Sequence, residues 1–140
     1  MKYILALLVL ISAGAVNAQS IVGKWKTIDD ESGKERSVVE IFKKDDRYYG
    51  KIVKLFRDEG EDPNPMCEKC EGDKKDQPII GMEIITGLMQ KGKDFKNGDI
   101  LDPENGKTYD CKIWVEDGNL KVRGYLYFFY RTQTWLPAGD

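Results

Sequence analysis

The chain of 140 residues contains no histidine. That absence removes Ser-His and Cys-His activation of a nucleophile, and with it the commonest metal ligand. An excess of charge of one sign is missing too: 22 Lys and Arg against 24 Asp and Glu leave a formal net charge of −2. So near-neutral a chain lacks the electrostatic footprint of a nucleic-acid binder. Long apolar runs are absent except at the start. There Lys2 precedes the apolar stretch Ile4 to Ile11, and Val16-Asn17-Ala18 supplies small residues for a cut. The stretch is shorter than the ~20 apolar residues that span a bilayer. Residues 1–18 therefore read as a signal peptide, and residues 19–140 as a single exported domain, periplasmic or secreted and not membrane-spanning.

Cysteine is scarce, with three in all. Cys67 and Cys70 form a C-x-x-C within "DPNPMCEKCEGDKK", and Cys111 lies far downstream. In an exported chain a local disulfide between Cys67 and Cys70 comes first. Zinc would lack a fourth thiol. A redox motif wants a helix start rather than a loop rich in Pro and charge. A bridge to Cys111 is the remaining alternative. A bridge across so short a loop contributes only ~2 kcal/mol, so it pins a loop rather than the fold. No metal or cofactor is expected.

Helical periodicity is also lacking. Short runs of Val, Ile, Tyr, Phe and Thr alternate with Gly, Asp, Asn and Pro clusters, the pattern of an antiparallel all-β domain. In "TYDCKIWVEDGNLKVRGYLYF" the turn falls at Asp117-Gly118. It pairs Val115 with Leu120, Ile113 with Val122, Cys111 with Gly124 and Tyr109 with Leu126 on one face. Trp114 then meets Lys121, and Asp110 meets Tyr125, on the other. Around Asp45-Asp46, Val39 meets Ile52 and Ile41 meets Gly50, while Glu40 and Lys51 form an outward pair of opposite charge. "DILDPENGKTY" supplies a third turn; Asp102 and Glu104 there lack the ligand spacing of a calcium loop. With strands at Ile21–Asp29, Gly81–Leu88, Asp99–Asp102 and Thr132–Trp135, about eight strands result. Sequential hairpins favour an up-and-down barrel. Arg57 to Gln77 is a long irregular excursion in that scheme.

Six motifs, in order, carry a family resemblance: Gly23-Lys24-Trp25-Lys26-Thr27; Cys67-Glu68-Lys69-Cys70; Pro78-Ile79-Ile80-Gly81-Met82; Asp102 to Tyr109; Val122-Arg123-Gly124-Tyr125; and Arg131-Thr132-Gln133-Thr134-Trp135. Together they resemble the exported bacterial family known as domain of unknown function 2147. The resemblance implies a lipocalin-like (calycin) barrel and no established activity. The Trp–Arg element of lipocalins maps onto Trp25 and Arg131, a barrel plug in which the guanidinium stacks on the indole. Arg123 is the rival partner, but the hairpin register sets it beside Lys112 on the outer face. Arg131 needs a bulge or a place at the barrel rim to serve.

The expected function is binding of a small hydrophobic ligand inside the barrel. The inward residues are Val39, Ile41, Tyr48, Ile52, Tyr109, Ile113, Val122, Leu126 and Phe128, with Gly50 and Gly124 among them. Tyr48 and Lys43 are candidate polar groups at the mouth. The alternative is an envelope interaction or structural module with a packed core and no ligand. Its candidate surface is the stripe Tyr125, Tyr127 and Phe129, covered by the Arg57–Gln77 loop, by a second copy in a homodimer or by an envelope partner. Catalysis is not expected. Asp29, Asp30 and Glu31 cluster in a Gly-containing turn, where solvated acids belong, and no acid stands alone in an apolar run.

Overall fold

The computed structural model describes residues 20–139, so the signal-peptide reading of residues 1–18 lies outside the described residues. Eight strands form one closed antiparallel barrel in sequence order: β1 (Gly23–Ile28), β2 (Glu35–Lys44), β3 (Arg47–Leu55), β4 (Glu83–Lys91), β5 (Asp94–Asp102), β6 (Lys107–Glu116), β7 (Asn119–Leu126) and β8 (Phe129–Pro137). A single turn of 3-10 helix, Gly72–Lys74, interrupts the excursion between β3 and β4. The barrel closes where β1 meets β8 through Trp25 opposite Pro137 and Lys26 opposite Leu136.

Turn chemistry sets most of these pairings. Asp117 and Gly118 both take positive φ, 53° and 78°, the backbone that matches the right-handed twist of a two-residue hairpin. The β6–β7 ladder runs from Glu116 opposite Asn119 to Asp110 opposite Tyr125, with Ile113 on Val122 and Cys111 on Gly124. It ends there, so Tyr109 and Leu126 do not pair; Tyr109 instead faces Ile100 on β5. The β2–β3 hairpin holds Val39 on Ile52, Glu40 on Lys51 and Ile41 on Gly50.

Two elements run longer than their sequence patterns. β5 begins at Asp94 rather than Asp99, because a bulge between Phe95 and Gly98 breaks the alternation. Asn97 carries φ 64° at that bulge, and Phe95 nevertheless lies fully buried. β8 begins at Phe129, because the chain reverses at Tyr127-Phe128 with Leu126 opposite Phe129.

The interior divides along the barrel axis. The end holding the β2–β3, β4–β5 and β6–β7 turns is packed solid by Ile41, Tyr48, Leu88, Phe95, Ile113, Leu120 and Trp25, all buried. Gly50 belongs to this half: a Cβ there would stand 3.0 Å from Ile85 and 3.2 Å from Val39. Its lack of a side chain permits close packing and leaves no room for a ligand. The other half, ringed by the β1–β2, β3–β4, β5–β6 and β7–β8 connections, is open.

Candidate functional site: the open half of the barrel

The open half encloses a cavity of about 600 Å³. Its apolar wall is built from Ile52, Ile84, Ile100, Leu101, Val122 and Trp135. Gly124 adds space, since a Cβ there would meet Tyr109 and Ile100 only at ordinary contact distances of 3.5 and 3.8 Å. Polar and charged side chains share the lining with this wall, and several are hydrogen-bonded. The buried hydroxyls of Thr27 and Ser37 share a hydrogen bond of 2.7 Å. The Trp135 indole Nε1 donates to Gln133 Oε1 at 3.0 Å, and Asn105 Nδ2 donates to the Tyr109 hydroxyl at 3.0 Å.

Carboxylates and three arginines organise the rim. Arg131 Nε donates to Asp30 Oδ2 at 2.8 Å, tying β8 to the β1–β2 connection. Arg36 forms ion pairs with Glu104 and, at 3.9 Å, with Asp29. The Asp29 side chain accepts the backbone N–H groups of Ser32 and Glu31, which hold its carboxyl below the usual range. Asp102 moves the other way. Burial raises its pKa, outweighing the Asn105 backbone hydrogen bond and the attraction of Arg131 and Arg36. The third arginine, Arg57, pairs with Glu61 at 3.2 Å, so all three rim arginines are engaged by carboxylates.

Of the residues expected to line a ligand site, Ile52, Tyr109, Val122 and Leu126 reach the cavity. Ile41, Tyr48 and Ile113 point inward but sit in the packed half. Lys43 and Tyr48, expected at the mouth, lie at the closed end instead, where the Lys43 ammonium stands 5.8 Å from the Tyr48 ring. Phe128 is not inward at all: it is 98% exposed on the β7–β8 turn. Alternation identified the inner face, but continuing it through Phe128 assumed a strand where the chain turns. The cavity residues Ile84, Ile100 and Trp135 were missed as site residues. Trp135 had a usable signal in the alternating "TQTW".

Trp25 and Arg131 do not form the stacked plug. Trp25 is buried at the closed end, and its indole Nε1 donates to the Ile21 carbonyl at 2.8 Å. Arg131 stands at the opposite, open rim, 67% exposed along its side chain. The arginine that stacks on aromatic rings is Arg123, on the outer face as its register required, 4.9 Å from Trp114 and 4.4 Å from Tyr130. Tyr125, Tyr127 and Phe129 are not one stripe either. The turn separates them, Tyr125 packs against Tyr130 at 5.9 Å, and the excursion loop leaves Tyr127 and Phe129 uncovered.

The excursion instead builds one wall of the mouth through Phe56, Arg57, Asp58, Glu61 and Pro65. Cys67 and Cys70 are joined in a disulfide with Cα atoms 5.4 Å apart, and both are buried. The bridged loop packs on the β5–β6 turn: Cys67 Sγ lies 3.5 Å from the Pro103 carbonyl. The Lys69 carbonyl also occupies the space a side chain at Gly106 would need, where φ is 74°. Cys111 is free and buried, and burial, with a smaller effect from Asp99, pushes its pKa up to about 12. Such a thiol is not a nucleophile near neutral pH. Alkylation of the native protein should therefore leave Cys111 unmodified, with one thiol appearing under denaturant. Two or three reactive thiols would show that the Cys67–Cys70 bridge is absent.

A closed eight-stranded barrel, packed at one end and open at the other, is a lipocalin-like fold. In agreement, protein HP1028 of Helicobacter pylori, described as belonging to the lipocalin family, superimposes with a TM-score of 0.73 at 17% identity, over 86% of this chain and 84% of that one. No functionally curated protein matches the sequence. Residues 23–136 match the family described as an uncharacterized protein conserved in bacteria (DUF2147), and the chain belongs to that family.

Proposed function

We propose that this protein is an exported, non-enzymatic carrier that binds a small hydrophobic ligand in the open half of its barrel. The observation that carries the reading is the cavity of about 600 Å³, within the range of roughly 300–1,000 Å³ typical of small-molecule sites. Its lining mixes an apolar wall with polar and charged groups, several of them already hydrogen-bonded within the protein, so an apolar guest seated on that wall displaces water and strands few donors or acceptors. Likeness to a protein described as a lipocalin supports a container of this kind. An unreactive Cys111, with Asp30 and Glu104 held in ion pairs by Arg131 and Arg36, favours binding over catalysis.

Titration with N-phenyl-1-naphthylamine, a fluorophore that brightens in apolar surroundings, tests the reading. Saturable binding with one site per barrel, reversed by fatty acids, is the expected result. A linear, non-saturating response would reject it in favour of a ligand-free interaction module.

A further inference from the structure

The β7–β8 hairpin ends in the run Leu126-Tyr127-Phe128-Phe129-Tyr130, projecting from the open end of the barrel. Relative exposures of 44, 91, 98, 78 and 62% make it the most exposed apolar segment among the described residues. Nothing in the local backbone asks for aromatics there. Tyr127 holds φ 55° at the first of two loop positions, a conformation that side chains of its size rarely adopt. In the β4–β5 hairpin, also a two-residue loop, the equivalent position is Gly92 at φ 63°. The β2–β3 and β6–β7 turns use Asp45-Asp46 and Asp117-Gly118. Of these tight turns, one alone lacks Gly or Asp at its loop positions, and the residues there are exposed aromatics.

We propose that this hairpin tip is a membrane-docking element that inserts into the interface of a phospholipid bilayer. Three observations favour lipid over a second copy or another protein. The exposed run is five residues long, with Tyr127 and Phe128 at its apex and Leu126, Phe129 and Tyr130 bordering the cavity mouth, far fewer than the roughly 20–30 per side of a stable protein interface. The open end around it carries eight carboxylates against four cations, Lys34, Arg36, Arg57 and Arg131, a net acidic rim even where Asp30, Glu61 and Glu104 are paired, so two copies meeting tip to tip would bring like charges together. Tyr and Phe at an exposed apex suit the boundary between acyl chains and headgroups, where an aromatic body is buried and a phenol stays hydrated. The same acidic rim sets the mode of binding: insertion is driven by the rings rather than by anionic lipid. The inference stands apart from the cavity reading, since docking needs no ligand.

The test uses the chain from Gln19 onward, which contains the whole barrel and omits the apolar leader. It should co-sediment with phosphatidylcholine vesicles and do so equally at 0.1 and 0.5 M NaCl, a range over which exposed charge interactions are strongly screened. Tyr127→Ser combined with Phe128→Ser should weaken partitioning by about tenfold or more, with an unchanged near-ultraviolet circular dichroism spectrum because both side chains lie in solvent. Separately, Phe128→Trp should give fluorescence that shifts to the blue on adding vesicles. Failure of the unsubstituted chain to sediment overturns the proposal, as does binding that requires anionic lipid and is lost in salt. So does light scattering that shows a dimer converted to monomer by the double substitution, which would make a second copy the occupant.

Discussion

Trp25→Ala should destabilise the barrel by about 3–5 kcal/mol, read from the urea midpoint at constant slope. Trp25 is buried at the closed end, between Val39 on β2 and Pro137 on β8. Truncation removes a large ring from a half that has no cavity to collapse into. It also strands the Ile21 carbonyl, which accepts the indole N–H at 2.8 Å and is itself part of a fully buried residue. Arg131→Ala should cost only ~0–1 kcal/mol, since its partner Asp30 lies at the solvated rim. The double substitution should therefore be additive to within about 0.5 kcal/mol, as separated sites are. A coupling energy above about 1 kcal/mol would mean that the two side chains meet, contrary to their placement at opposite ends of the barrel.

Gly124→Trp should abolish binding of the apolar fluorophore while changing stability by less than about 1 kcal/mol. The first atom of the new side chain meets Tyr109 at 3.5 Å and Ile100 at 3.8 Å, contacts that require no adjustment. Beyond them the indole enters the cavity. A ring filling empty space adds packing contacts without the strain of an overpacked core, which costs roughly 1–3 kcal/mol. The sign of the stability change thus separates a hollow mouth from a filled one. Marked destabilisation, together with a native chain that binds no probe, would leave the packed-core alternative.

Much of this fold could be read from the residues. Asp117-Gly118 and Asp45-Asp46 announce two hairpins, and alternation about each turn gives the register residue by residue, because a slip by one would turn every apolar side chain outward. The same logic failed at Tyr127-Phe128, where a reversal is made without turn residues and the strand pattern runs straight through. It failed again at Phe95, hidden by the bulge before Gly98. The site was less legible than the fold. Alternation says which side chains face the axis, so Ile41 and Ile52 look alike. Which of them meets a ligand depends on depth along the axis and on which end the loops leave open. That depends on the excursion between β3 and β4, whose path is set by tertiary contacts such as Lys69 against Gly106. The same ignorance of depth put Trp25 and Arg131 together, although a whole barrel length separates their ends.

The seam between β1 and β8 rests on two residue pairs and a backbone bond from the Ala138 N–H to the Lys24 carbonyl. Every other joint in the barrel links neighbours in sequence, most of them through tight turns that form on the microsecond scale. This one joins nearly the two extremes of the described chain, and the entropy of closing so long a loop must be met before any contact rewards it. An open, curled sheet is the natural species just before completion, with the edges of β1 and β8 unpaired and prone to associate with other chains. The closed end, remote from the cavity, therefore governs how long the unfinished protein stays at risk of aggregation. Sequence change at Ile21, Trp25 or Pro137 should act on yield and lifetime, and change around Gly124 on the volume of the cavity.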